Sequence, residues 1–179
     1  MISESRHWKK PLLETAKRLT ALKTSRNVSE QQLVRFEKDI FMGFYSVRKL
    51  FETQTKITDA VRQTTLELSW YPNVGTEVTW RNNHKLDELY DFNKPGREKR
   101  DVWFVCGRLI HSFVFVPVFG ELGGIEAVFF TSDTDKDKRL YGIHIDKIID
   151  LFHLVGSDAP MALTWKRDPK TGQELTIVE

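Results

Sequence analysis

Residues 113–131, FVFVPVFGELGGIEAVFFT, form two runs rich in Val and Phe on either side of a short Gly-containing turn. Such residues favour strands, so this stretch predicts an antiparallel hairpin. The first run, FVFVPVF, has no alternation of apolar and polar residues, which predicts protein packed on both faces of its strand. Because Pro117 has no amide donor, we expect its strand to lie at a sheet edge or to carry a bulge. Helices are expected to cover the hairpin.

Two amphipathic helices precede this hairpin in the chain. Leu residues at three- and four-residue spacing, with Pro11 in the first turn, predict a helix from about residue 10 to 24. Ser29 and Gln32 have the spacing of a capping box, and the apolar stripe that follows them predicts a helix over residues 29–53. Gly43 would allow this second helix a close approach to a neighbour. Its stripe is widened by three further side chains, Val34, Phe41 and Tyr45.

The remaining elements are shorter. Residues 101–112 fit either a helix capped by Asp101 or a buried strand, VWFVC, ended by Gly107; the helix is preferred because Arg108 and His111 then share one exposed side.

The other predicted elements are, in chain order, a short helix within 55–63, a hairpin of strands 66–70 and 78–80, a helix within 82–91, a loop at 92–100, a strand at 141–145, a helix that Asp146 caps and Gly156 ends, and a last hairpin of 161–166 with 174–178, closed over Asp168, Pro169 and Gly172.

These patterns predict a single α+β domain. In it, an antiparallel sheet of about five to seven strands packs against a long N-terminal helix pair and further short helices. Residues 1–28 would form a basic helical arm, residues 29–53 the long core helix, and residues 65–179 the sheet with its inserted helices. A chain of 179 residues is long enough to bury a large core without disulfides.

Composition predicts a cytoplasmic protein with no membrane segment. Charged residues make up 29% and hydrophobic residues 40%, as in globular proteins, and the apolar runs fall well short of the ~20 residues of a membrane helix. The sequence MISESRHWKK lacks the apolar core of a signal peptide. The single Cys106 cannot form an internal disulfide, and its apolar surroundings predict a small core residue rather than a nucleophile.

Positive charge is concentrated in the first 28 residues. They hold seven Lys and Arg against two Glu, a local net charge of +5 within a chain of net charge +2. This arm could meet nucleic acid or an acidic partner, although a solvated helix face is the commoner reason for such charge. An aromatic residue beside polar and basic groups, which suits base stacking, occurs near residue 80. The candidate nucleic-acid-binding residues are Lys9, Lys10, Lys17, Arg18, Trp80, Arg81 and His84.

One pair of residues is a minority candidate for catalysis. An Arg and a His on one helix face can hold a phosphate and move a proton during RNA cleavage. Arg108 and His111 form such a pair if residues 101–112 are helical. No phosphate-binding loop, Cys-x-x-Cys pair or Ser, His and acid grouping accompanies them, so the sequence predicts no cofactor.

Two groups of metal-ligand residue types occur, but neither predicts a metal site. Asp133, Asp135 and Asp137 open like a calcium loop, yet Lys138 replaces the Gly and His144 the Glu that such a loop needs. The second group is His144, Asp146, Asp150 and His153. Residues 146, 150 and 153 share one face of a predicted helix whose apolar stripe points the other way, so an ordinary water-facing side explains them.

The leading expectation for function is a non-catalytic binding module that works through a protein partner or by self-association as a homodimer. It depends on the absence of a catalytic grouping and on the aromatic-rich side of the second helix, around Phe41 and Tyr45. The alternative is a nucleic-acid-binding protein that uses the basic arm. One version of this alternative is a toxin-like enzyme that also cleaves RNA. Binding led by phosphate contacts must weaken steeply with salt, whereas an apolar interface should hardly change.

Overall fold

The structure, a computed structural model, describes residues 2–167, 169, 171–172 and 174–179. This part of the chain is a single α+β domain, as the sequence predicts. Its helices are α1 (Arg6–Lys23), α2 (Glu30–Glu52), α3 (Asp59–Arg62), α4 (Leu86–Leu89), α5 (Val102–Ile110) and α6 (Ile145–Ser157). Its strands are β1 (Thr65–Pro72), β2 (Gly96–Asp101), β3 (Ser112–Phe119), β4 (Ile125–Ser132), β5 (Arg139–His144), β6 (Leu163–Arg167) and β7 (Glu174–Val178).

Five strands form one antiparallel sheet in the order β2-β1-β5-β4-β3. The predicted hairpin of β3 and β4 is confirmed, with Phe115 opposite Phe130. Pro117 lies on β3, which is an edge strand, as expected. The last two strands pair with each other in a separate two-stranded sheet, which confirms the last hairpin; Asp168 of its predicted turn lies outside the described residues.

Four helices cover one face of the five-stranded sheet. α1, α2, α5 and α6 supply most of a continuous core that also takes in the helix-facing side chains of β1, β4 and β5. The ring of Phe44 on α2 meets that of Phe152 on α6 edge to face at 5.3 Å. A Cβ atom on Gly43 would collide with the Phe152 ring, so Gly43 permits the close approach expected of it.

The opposite face is covered over only part of its area, and by an irregular segment. Residues 73–95, here called the covering segment, include α4 and pack Val78, Leu89 and Tyr90 against Val114 and Leu140 of the sheet. β3 therefore has protein on both faces, as predicted. Helices cover only one of those faces, because the second is met by the covering segment.

The predicted hairpin of strands 66–70 and 78–80 is wrong. β1 pairs instead with β2 on one side and β5 on the other. Val78 belongs to the covering segment, where its backbone N–H donates to Asp137 Oδ1 at 2.7 Å. The true partner has the sequence GREKRD, whose charged residues carry no apolar signal, so the sequence predicts a loop there. Charged side chains are common in strands at a sheet edge.

The predicted helix boundaries are confirmed in some places and wrong in others. α2 has the expected capping box, and the Asp101 carboxylate accepts a hydrogen bond from Phe104 N at 2.6 Å, which confirms the helical interpretation of 101–112. α1 begins at Arg6 rather than near residue 10. His144 precedes α6 as its N-cap residue, so Asp146 lies in the first turn and is not the cap.

The shorter helices differ from the predicted ones mainly in length. α6 continues past Gly156 to Ser157. The helix expected within 82–91 is reduced to the four residues of α4, and the one expected within 55–63 is present as α3. None of the helices in the described ranges is long and apolar enough to cross a membrane.

Candidate binding surfaces

An apolar row follows the outer side of α2, opposite the residues that α2 buries in the core. Val34, Met42 and Tyr45 are 63%, 56% and 40% exposed, and Phe41 between them is half-buried against Phe115, with ring centroids 4.9 Å apart. These four α2 residues, Val34, Phe41, Met42 and Tyr45, are called the α2 strip. Three of them, Val34, Phe41 and Tyr45, are the residues that widen the predicted apolar stripe of this helix.

A groove between α1 and α2 continues the α2 strip sideways. It has a volume of about 350 Å³ and is lined by Trp8 and Pro11 of α1 and by Met42 and Ser46 of α2, among others. The Trp8 ring lies 6.2 Å from the ring of Tyr45. The strip and the groove therefore form one connected apolar surface.

The basic arm is partly used to hold the fold together. Lys9 is buried; its Nζ donates to the backbone oxygen of Asp158 at 2.6 Å and lies 3.4 Å from Asp158 Oδ2. Burial lowers the pKa of Lys9, against the opposing effect of the Asp158 carboxylate. Arg18 makes two hydrogen bonds to the Asp39 carboxylate, at 2.7 and 2.8 Å.

Two of the four arm candidates thus have carboxylate partners inside the molecule. Lys10 and Lys17 are exposed on α1 and have no side-chain partner among the described residues. The structure places this arm in the helix layer, whereas Trp80, Arg81 and His84 belong to the covering segment on the opposite face of the sheet. The seven candidates do not form one surface.

Trp80 is the candidate whose side chain offers a large aromatic face. It is 78% exposed and rests on the Phe113 ring at 4.7 Å, while Lys136 Nζ lies 4.1 Å from the centre of the same ring. Arg81 and His84 are exposed nearby in the sequence. The supporting Phe113 and Lys136 were missed from the sequence because they come from β3 and from the β4–β5 turn.

Arg108 and His111 are both placed at the end of α5, where Arg108 has an acidic partner. Arg108 Nε lies 2.5 Å from Asp135 Oδ2, and its guanidinium carbon lies 4.8 Å from the centre of the Phe104 ring. His111 follows the last residue of α5, and its ring has no hydrogen-bond partner among the described residues. The cation that would hold a phosphate is therefore already neutralised by a carboxylate.

The three carboxylates of the calcium-like loop serve different partners. Asp133 pairs with Lys136, Asp135 with Arg108, and Asp137 accepts from the Val78 amide. In the described ranges, no three His, Cys, Asp or Glu side chains come close enough to hold a metal ion.

Cys106 is fully buried, and burial raises the pKa of its thiol to about 12. It is protonated at neutral pH and occupies a core position, as predicted.

A polar depression lies on the uncovered part of the second sheet face, and sequence patterns gave no sign of it. It has a volume of about 400 Å³ and lies between β1, β2 and the start of α6. It is called the sheet hollow, and the residues that define it are Glu67, Ser69, Tyr71, Arg97, His144 and Lys147. These residues come from four separate elements and share no spacing that a motif could show.

Comparison with known proteins does not assign these surfaces. No family model, curated protein or solved structure matches the chain. A function has to be argued from the surfaces themselves.

Proposed function

We propose that this protein is a non-catalytic cytoplasmic binding module that associates with a second copy of itself through the α2 strip. The observation that carries the proposal is the row of exposed apolar side chains along the outer side of α2. Exposed Val and Met side chains aligned on one helix, beside an apolar groove, are typical of an interface and uncommon on a monomer surface. Protein partners other than a second copy are the alternative occupants of this surface.

The pattern on α2 suits antiparallel packing of two copies. With the two-fold axis beside Phe41 and Met42, these apolar residues meet their own counterparts. Lys38 of each copy then lies across from Tyr45 of the other, where an ammonium group is attracted to the face of the ring. In the same register Val34 lies across from Lys49, which pairs with Glu52 at 2.6 Å within its own chain, so Phe41 and Met42 form the apolar centre of the pairing.

Light scattering coupled to size exclusion tests this proposal. The weight-average mass should rise from one chain of 20.9 kDa towards two chains as the protein concentration increases. Replacing Met42 by Glu buries a charge at the centre of the interface, so Met42→Glu should weaken self-association by about tenfold or more. Because the interface is apolar, added salt should change the association little.

The matched control is Leu122→Glu, an equally drastic change at a site 83% exposed in the β3–β4 turn, which should leave the mass curve unchanged. A mass of one chain at every concentration would overturn self-association. Equal weakening by both substitutions would show that the α2 strip is not the interface.

A second candidate function, nucleic-acid binding, is favoured by one observation. Trp80 is 78% exposed and its ring rests on the Phe113 ring at 4.7 Å, an arrangement on which a base of single-stranded RNA or DNA can stack. In an electrophoretic shift assay at low salt, an unstructured oligonucleotide should bind, and Trp80→Ala should reduce affinity by about tenfold. Trp103→Ala, at another exposed tryptophan, is the control. No complex at low salt would remove this candidate.

A further inference from the structure

We propose that the sheet hollow binds a small phosphate-bearing ligand, such as a sugar phosphate. The site lies on the face of the sheet opposite α2, so it is independent of the self-association proposed above. Its volume of about 400 Å³ falls in the range of small-molecule sites in proteins.

The basic side chains around the hollow have no ion-pair partner in the part of the chain that the structure describes. Arg97, Lys147 and His144 make no ion pair and no side-chain hydrogen bond with any described residue, and neither does Glu67. Elsewhere in the described chain, many exposed cations lie within 4 Å of a carboxylate, as Lys23 does with Asp146. An Arg and a Lys that converge on one depression and remain unpaired can neutralise a phosphate dianion.

Positive charge exceeds negative charge around the hollow. The single acid at the hollow, Glu67, stands directly opposite Lys99 in the pairing of β1 with β2, so both side chains project from the same sheet face. Lys99 therefore offsets Glu67, and Arg97 and Lys147 leave an excess of positive charge. That sign favours anions and disfavours metal cations.

The start of α6 adds to the positive electrostatic potential at the hollow. Its N-cap residue His144 makes no side-chain capping bond, so the amide groups of the first turn keep their capacity to donate. Asp146, the acidic residue of that turn, makes two hydrogen bonds of 2.7 Å with Lys23. Its charge is thus largely compensated by a residue of α1.

The walls of the hollow are fixed by packing. The Tyr71 ring is held by Phe92 at 4.7 Å and by Phe129 at 5.5 Å, so it offers a stable side wall for the body of a ligand. Ser69, another lining residue, lies close to the backbone of β5, since a Cβ atom on Gly142 would collide with Ser69 Oγ. The Ser69 hydroxyl donates to the Gly142 oxygen at 3.3 Å and can still accept from a ligand hydroxyl.

Two-dimensional NMR of the whole chain is the direct test, with glucose 6-phosphate, glucose and inorganic phosphate as probes. Glucose 6-phosphate should shift the backbone amides of residue 97 and residues 142–147 in a saturable way, inorganic phosphate should shift the same amides more weakly, and glucose should not shift them. Arg97→Gln should raise the dissociation constant for glucose 6-phosphate by about tenfold, because a charged hydrogen bond is lost. Lys147→Gln should raise it by a smaller factor.

Two further variants make the test specific to charge at this site. Glu67→Gln removes the one negative group at the hollow and should tighten binding of inorganic phosphate. Lys17→Gln, at an unpaired and exposed lysine on α1, should change nothing. All four substituted side chains are exposed, so the variants are expected to fold, and circular dichroism verifies it.

Three results would overturn the proposal. The first is no saturable shift with either phosphate at millimolar concentration. The second is equal weakening by Arg97→Gln and Lys17→Gln. The third is shifts with glucose alone as large as those with its phosphate, which would show that the hollow recognises the sugar and not the anion.

Discussion

The two faces of the five-stranded sheet are covered in different ways. One face lies beneath four helices in a continuous core, in which Phe44, Phe130 and Phe152 are fully buried. The other face carries a smaller cluster beneath the covering segment and then opens into the sheet hollow. Stability should therefore reside mainly on the helix-covered face, which leaves the other face free to expose polar groups to a ligand.

Two neighbouring phenylalanines of β4 allow a direct measurement of this difference. Phe130 points into the helix-covered core, whereas Phe129 is half-buried on the opposite face, against Tyr71 and Phe92. Phe130→Ala should lower the free energy of unfolding by about 3–5 kcal/mol, because it removes a large side chain from a closed core. Phe129→Ala should cost about 1–2 kcal/mol, because that ring already meets water. Urea denaturation followed by circular dichroism gives both values.

The two variants serve as controls for each other, since the residue type, the strand and the substitution are the same. Equal losses would mean that the covering segment contributes as much stability as the helix layer. A larger loss for Phe129→Ala would reverse the comparison and would make the covering segment part of the main core.

The helix-covered face could be predicted well from sequence because its signals are local. The capping box of Ser29 with Gln32 and the Asp101 cap each lie within a few residues of the helix that they start. The apolar spacing of α2 and the Val and Phe runs of β3 and β4 likewise report burial without any knowledge of distant partners. These features were sufficient for the fold class and for the central hairpin.

The other face could not be predicted, because distant parts of the chain build it. β2 has the sequence GREKRD, and only its pairing with β1 makes it a strand. The covering segment is held by contacts such as that of Val78 with Asp137, which no spacing reveals. The sheet hollow combines residues of β1, β2 and the β5–α6 junction, so no motif could mark it.

A smaller effect is expected at Tyr90, which fixes the covering segment to the β4–β5 turn. Tyr90 is buried, and its hydroxyl donates to the backbone oxygen of Lys136 at 2.8 Å. Tyr90→Phe keeps the ring but leaves that oxygen without this donor, so the free energy of unfolding should fall by about 1 kcal/mol. Hydrogen exchange should become faster for amides of residues 73–95 and change little in α2. Faster exchange in α2 to the same degree would mean that the two faces open together.

Tyr90 should also make the free energy of unfolding depend on pH. Burial, assisted by the charge of Asp137, raises the pKa of the Tyr90 phenol above its ordinary value of 10.0. Above that pH the unfolded chain loses the phenolic proton while the folded protein retains it, so the unfolded state gains relative stability as pH rises. The wild-type protein should therefore lose stability more steeply above about pH 10 than Tyr90→Phe does, and below that pH the two curves should run parallel.

Tyr141 is also buried with a raised pKa, but it is present in both proteins, so the difference between their denaturation curves isolates Tyr90. Curves that stay parallel through pH 10 would show that the Tyr90 hydroxyl ionises as it does in water, and hence that the covering segment does not close over it.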